Sequence, residues 1–190
     1  MALEHVEAFD DPSPALEQYV TPNDVASRVL TLADRLGDLD GRVVDLGCGT
    51  GVFALGAALA GCDVVGVDLD GDALRTARRN AATLGVEART DWVRADVRHL
   101  PIDVDGATVV MNPPFGAQDR GADRPFLDAA LDVGGPVYSI HNEGSHDFVA
   151  AHTGAEITHA YAVELTIPHT FSFHSDRRRD VPAEFYRIRP

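Results

Sequence analysis

Val43-Val44-Asp45-Leu46-Gly47-Cys48-Gly49-Thr50-Gly51 decides the fold. Its β-branched start reads as a strand over residues 41–46, and the alternate glycines end that strand in a turn whose backbone can approach a ligand closely. Residues 52–60 then read as a helix, and 63–67 as a second strand ending in Asp68. Strand, glycine turn, helix, strand and acid, with the acid about 20 residues past the turn, make a nucleotide-binding βαβ unit in which Asp68 suits a ribose diol.

Outward from this unit the periodicity continues. Upstream, residues 1–16 are acidic, carry Pro12 and Pro14, and read as an irregular lead-in. Thr21-Pro22 is a helix start, with Thr21 as the cap, Pro22 at the first position and Asp24 adding negative charge to the first turn. Val25, Val29, Leu32 and Leu36 form its apolar stripe, and Gly37 stops it. Downstream, residues 70–84 read as a helix, 88–95 as a third strand ending at Asp96-Val97, and 106–110 as a fourth. A helix over 125–133, a strand over 136–141, a helix over 145–151 and strands over 156–168 and 184–189 complete the chain.

The fourth strand leads into Met111-Asn112-Pro113-Pro114-Phe115-Gly116. Two consecutive prolines cannot continue a strand interior, so the chain leaves the sheet as a stiff, extended turn. Such a turn fixes the Asn112 side chain and the Pro113 carbonyl, both acceptors, beside an aromatic ring. Together they can take both protons of a planar amino group and favour its pyramidal form, which develops in a transition state. A rigid turn without chemistry is the plain alternative. Gly47 to Gly51, Asp68, Asp96 and Asn112 all fall at carboxyl ends of successive strands, where ligands bind in doubly wound sheets.

Composition bounds the setting. The 190 residues suit one domain over 1–190. No apolar run approaches a membrane span and the N-terminus lacks a signal-peptide profile, so a cytoplasmic location is expected. Cys48 and Cys62 make neither a disulfide framework nor a zinc site, and no metal is expected. The net charge is −14, and all 16 basic residues are arginine. An Asp-rich, Lys-free chain fits a proteome adapted to high salt, so a halophilic, archaeal source is expected. A thermal melt should therefore move upward from low to multimolar salt, and equal folding at both ends would overturn that expectation. Acidity ordinarily argues against a nucleic-acid partner, but concentrated salt removes most of the counterion-release advantage of phosphate contacts, leaving shape and base contacts to do more.

Leu16-Glu17-Gln18-Tyr19-x-Thr21, Asp45-Leu46-Gly47-Cys48-Gly49, Asn112-Pro113-Pro114-Phe115-Gly116, Val137-Tyr138-Ser139-Ile140-His141 and Phe173-His174 with its trailing basic residues resemble the methyltransferase-like protein 5 family, along nearly the whole chain. Val20 departs from the family, which usually has proline there. The resemblance implies an α/β fold: a doubly wound, seven-stranded class I methyltransferase (Rossmann-like) sheet, mostly parallel with a late antiparallel hairpin. It implies S-adenosyl-L-methionine (SAM) as cofactor and N6 of an adenine in small-subunit ribosomal RNA as methyl acceptor. Asn112, Pro113, Pro114 and Phe115 would form the catalytic motif, with Phe115 stacking on adenine. Gln18, Tyr19, Thr21, Asp45, Gly47, Gly49, Thr50, Gly51, Val52, Asp68, Asp96, Val97 and Asn112 would bind cofactor, Asp96 reaching its adenine amino group. It also implies a heterodimer with a small zinc-ribbon methyltransferase activator protein, through the third-strand edge near Trp92. His141, His146 and His174 are weighed as bases, and Phe173, His174 and Arg177 to Arg179 as RNA contacts. Two rivals stand beside this reading: a protein-glutamine methyltransferase acting on a release factor, and an inactive SAM-binding scaffold.

Overall fold

A computed structural model describes residues 2–13, 16–116, 121–168 and 178–190. Phe173, His174 and Arg177 lie outside the described residues, as do the side chains of Arg178 and Arg179.

The chain runs α1 (Asn23–Arg35), β1 (Val43–Leu46), α2 (Val52–Leu59), β2 (Val64–Asp68), α3 (Gly71–Leu84), β3 (Thr90–Arg94), β4 (Thr108–Met111), α4 (Arg124–Val133), β5 (Val137–Asn142), α5 (His146–Thr153), β6 (Glu156–Pro168) and β7 (Arg178–Arg189). The strands form one seven-stranded sheet in the order β3-β2-β1-β4-β5-β7-β6. The first five are mutually parallel, and β7 pairs antiparallel with both β5 and β6. This is the class I methyltransferase sheet with its late hairpin. The direction of winding reverses between β1 and β4, which opens a crevice at their carboxyl ends.

The sheet is covered on both faces, so its central strands carry apolar residues continuously rather than alternately. Val43 packs with α1 and α2, whereas its neighbours Val44 and Leu46 pack with α4 on the other face. Cys48 and Cys62 are both free and buried.

Several boundaries differ from the sequence reading. Pro22, not Thr21, occupies the cap position of α1, and no side chain caps the helix. The Thr21 hydroxyl instead meets Asn112. The buried stripe of α1 is Val25, Ala26, Val29, Leu30 and Ala33, while Leu36 is 39% exposed beyond the helix end. The third strand is shortened by a 3-10 turn at Glu87–Arg89. The last strand starts earlier than residue 184, because its whole length pairs with β6. In the lead-in, Ala2–His5 forms a 3-10 turn that plants Leu3 in the core.

At the sheet end away from the crevice, a buried polar network ties the segment before β1 to β5, β6 and β7. Arg187 donates through Nε to Asp38 Oδ2 (2.7 Å), through Nη2 to Asp38 Oδ1 (3.0 Å) and through Nη1 to Thr158 Oγ1 (2.9 Å). Tyr138 Oη also donates to Asp38 Oδ2 (2.6 Å). Burial alone would raise the Asp38 carboxyl, but the hydrogen bonds from Arg187 and Tyr138 and the charges of Arg187 and Arg189 outweigh it, and the net shift is downward.

Candidate active site

The glycine turn is built by side chains reaching into its backbone. Asp68 ends β2, and its Oδ2 accepts from Gly49 N–H (2.8 Å) while Oδ1 accepts from Asp70 N–H (2.8 Å). Asp45, fully enclosed in β1, accepts from Ala54 N–H (3.0 Å) in the first turn of α2. Asn80 on α3 donates to Thr50 O (3.0 Å) and to Glu7 O (3.1 Å), and its Oδ1 accepts from Glu7 N–H (2.8 Å). One buried amide thus joins the turn to the lead-in. Gly49 (φ 53°) and Gly51 (φ 94°) take left-handed conformations, and a Cβ on either would lie 2.8 Å from the ring of Phe9 or Trp92 respectively. Any side chain there is strained and displaces a ring.

These elements enclose a cavity of about 370 Å³. Of the expected cofactor residues, Gln18, Tyr19, Thr21, Asp45, Gly47, Gly49, Thr50, Val52, Asp68, Asp96, Val97 and Asn112 line it, together with Pro114 of the motif. Gly51, Pro113 and Phe115 are not on its wall. Gly51 faces Trp92 instead, and Pro113 is buried. Phe115 is half-buried, its ring edge-on to Tyr19 with centroids 5.7 Å apart. Phe9, Glu17, Cys48 and Phe126 line the cavity too. Sequence reasoning missed Phe9, Phe126 and Asn80, because a lone aromatic in an acidic lead-in and an Asn within a helix carry no local signal.

Charge in the cavity is graded. Burial pushes the Asp45 carboxyl up to about 7, against the opposing Ala54 N–H and with help from Asp68. Asp68 is also raised, by burial first. Asp96 is held down to about 2 by the Arg98 side chain and backbone N–H, as it caps the 3-10 turn Val97–His99. Asp96 therefore lines the cavity while both its oxygens already serve Arg98. An unfolded Asp titrates near ~3.9, so the native state keeps a proton on Asp45 that the unfolded chain loses. That preference stabilises the fold fully below about pH 4 and drains away as pH rises through about 7. Asp45→Asn keeps an acceptor for Ala54 and cannot ionise. Relative to the parent, it should gain stability from about pH 4 to about pH 7, on the order of a kcal/mol per pH unit, and keep that gain above about pH 7. Urea melts giving the same pH slope for both proteins would overturn this.

Three buried polar atoms on or beside this wall have no hydrogen-bond partner among the described residues: Tyr19 Oη, Thr50 Oγ1 and Asn112 Oδ1. Buried polar atoms are rarely left orphaned, and at a concave site they mark places that a ligand satisfies. Asn112 Nδ2 is already spent on Thr21 Oγ1 (3.0 Å), which leaves Oδ1, an acceptor, free at the crevice. Among the described residues no group of His, Cys, Asp and Glu could hold a metal ion. His141 lies buried beneath this region, with Ser139 Oγ at 2.7 Å from Nε2 and Asp123 Oδ2 at 3.5 Å from Nδ1, and His146 faces Tyr186, so neither wall the cavity.

The methyltransferase small domain family matches residues 21–142. An rRNA N(6)-adenosine-methyltransferase of Drosophila melanogaster is 34% identical, over 98% of this chain and 92% of its own. The chain belongs to the methyltransferase-like protein 5 family. The counterpart from Danio rerio is 32% identical over 99% of this chain and 95% of its own. The crystal structure of a protein from Pyrococcus horikoshii superposes with a TM-score of 0.89 at 36% identity, covering 99% of this chain and 94% of that one. As a methyltransferase of this family the protein uses S-adenosyl-L-methionine. The cavity fits that group: its wall pairs an apolar rim from Val52 and Val97 with carboxylates at two strand ends, and it holds orphaned polar atoms that a polar ligand would satisfy.

Proposed function

We propose that this methyltransferase transfers a methyl group to the exocyclic N6 of an adenine in ribosomal RNA, of the small subunit. The observation that carries this reading is the unpartnered, buried Asn112 Oδ1 at the head of the Asn-Pro-Pro-Phe turn. It is an acceptor where an amino group must be received. The substrates of the fly and fish relatives point the same way.

Bound SAM supplies an electrophilic methyl on a sulfonium. Asp68 and Asp96, at the ends of β2 and β3, would serve the nucleoside end of the cofactor. Asp68 keeps lone pairs beyond the two backbone N–H groups it accepts, so a ribose diol can still donate to it. Gly47, Gly49, Thr50 and Val52 would meet the methionine portion, with Gln18, Tyr19 and Thr21 closing the other side and Gly51 shaping the turn. Asn112 Oδ1 would accept a hydrogen bond from the amino group, and the Pro113 carbonyl, which lies behind the cavity wall, would take the second proton only once the acceptor base is seated, drawing the nitrogen lone pair out of the ring and into line with the methyl carbon. With SAM bound, its methyl would pass to the nitrogen held in line by Asn112 and its sulfur would leave as a neutral thioether, and the alkylated nitrogen would release one proton to water. No strong base is needed, which agrees with His141 being buried away from the cavity. Phe115 is half-buried, and its exposed part is available to an unstacked base.

Transfer from labelled SAM to small-subunit ribosomal RNA, with a release factor offered in parallel, tests this. Label on N6-methyladenosine supports it, label on glutamine alone replaces it with the rival methyltransferase, and no transfer to either favours a scaffold.

The same reading includes a small zinc-ribbon activator protein on the β3 edge. β3 is the last strand of the sheet, and its outer side is unpaired among the described residues. Trp92 folds inward over Gly66 and Gly51, so pairing there would rest on backbone groups rather than on its ring. The isolated chain should be poorly soluble or poorly active; a stable, fully active monomer would count against the partner. Among the described residues no helix is long and apolar enough to cross a membrane, and a cytoplasmic site of action completes the proposal.

A further inference from the structure

The segment 16–21 does more than border the cavity. Thr21 Oγ1 accepts from Asn112 Nδ2 at 3.0 Å across 91 residues of sequence. Glu17 Oε2 accepts from Phe115 N–H at 2.7 Å across 98. The first and last residues of the Asn-Pro-Pro-Phe turn are therefore each held by one side chain of the same short segment. Between them Tyr19 sets its ring edge-on to Phe115. The segment is itself anchored: Gln18 Nε2 donates to Asp70 Oδ2 (2.8 Å) at the start of α3, and Gln18 Oε1 accepts from Ser13 N–H (2.7 Å). Glu17 is the one non-glycine residue with positive φ (50°) among the described residues. A side chain held in that region marks a conformation imposed by its surroundings.

We propose that Thr21 and Glu17 are positioning residues for methyl transfer, holding the Asn112 amide and the Phe115 backbone in the geometry that receives the acceptor amine. This rests on the reading of Asn112 as the amine acceptor. A primary amide turned by half a rotation about its last bond would offer NH2 where oxygen is needed. In this structure Nδ2 meets Thr21 Oγ1, so Oδ1 is the atom left for substrate; because a hydroxyl can donate as well as accept, what Thr21 fixes is the place and plane of the amide. A Thr21 that merely enclosed the cofactor, as the family resemblance implies, would act on SAM affinity. A Thr21 that holds Asn112 acts on turnover at saturating SAM.

Thr21→Val keeps the side-chain shape and removes the oxygen; Thr21→Ser keeps the oxygen. The experiment measures kcat and KM for RNA methylation at saturating SAM, with the SAM dissociation constant determined separately by calorimetry, which also reports whether the fold is intact. Thr21→Val should lower kcat by on the order of 10-fold or more with SAM affinity within about twofold of the parent, and Thr21→Ser should restore most of the turnover. Glu17→Ala should lower kcat in the same way, and Glu17→Gln, which still offers an acceptor to Phe115, should recover it. A Thr21→Val enzyme with weakened SAM binding and unchanged kcat overturns the proposal, as do Val and Ser variants that behave alike. Should the parent methylate glutamine and no RNA, the adenine reading fails while the same split, measured on the glutamine acceptor, still decides the roles of Thr21 and Glu17.

Discussion

Asn112→Ala should lower kcat by about 10²–10³-fold or more while leaving SAM affinity within a few-fold of the parent. The magnitude follows from what is removed. Deleting one preorganised hydrogen-bonding group aimed at a transition state costs about 2.7–4 kcal/mol of stabilisation. Asn112 supplies the orphaned acceptor on this wall that sits directly after a strand end, so no neighbour is placed to substitute. SAM affinity should move little, because most of the cavity wall, from the glycine turn to Asp68 and Asp96, is untouched. Equilibrium binding of SAM and single-turnover methylation separate the two effects. Full activity in the variant would refute the role given to Asn112.

The second large effect concerns stability, far from the chemistry. Arg187→Met should destabilise the protein by about 3–5 kcal/mol, because it strips Asp38 of its bidentate partner and leaves a largely buried carboxylate with only the Tyr138 hydroxyl donating to it from a side chain among the described residues. At about 2–4 °C per kcal/mol for a chain of this size, the melting temperature should fall by roughly 6–20 °C. The pH dependence has a definite sign. Asp38 is lowered in the folded state, so its pairing with Arg187 stabilises the parent above the ordinary carboxylate range and is lost as pH falls through the native value. The variant should therefore lose its deficit in acid, where Asp38 is protonated in both proteins. Adding Asp38→Asn to Arg187→Met should recover part of the stability at neutral pH. A loss below about 1 kcal/mol would mean that water, not Arg187, satisfies Asp38.

How much of this was legible in the sequence depends on the range of the interaction concerned. The strand, glycine turn, helix and Asp68 series is local, and periodicity and turn chemistry placed every part of it to within two residues. The crevice followed, since Asp68, Asp96 and Asn112 each mark a strand end. What escaped was long-range. Thr21 looks like a helix cap because Ser, Thr, Asp and Asn favour that position, yet its hydroxyl is drawn to Asn112, a partner fixed only when the sheet has formed. The lead-in looked irregular because the burial of Leu3 and the tie to Asn80 depend on helices far along the chain being in place. Asp96 lines the cavity, but no sequence signal marks its engagement with Arg98 two residues on. Phe115 was expected over a base, and the fold shows it leaning on Tyr19.

Cys48 carries one more consequence. The residue borders the cofactor cavity, and its sulfur is buried against Gly66 and the Gly49 carbonyl. A thiol in such a chamber is a ready target for self-methylation, but only as the thiolate. Burial first, and then the neighbouring carboxyls of Asp45 and Asp68, push the Cys48 thiol well up, away from the thiolate form. The packing that buries Cys48 beside the acids of the glycine turn thus disfavours the thiolate, the form that a methyl donor alkylates.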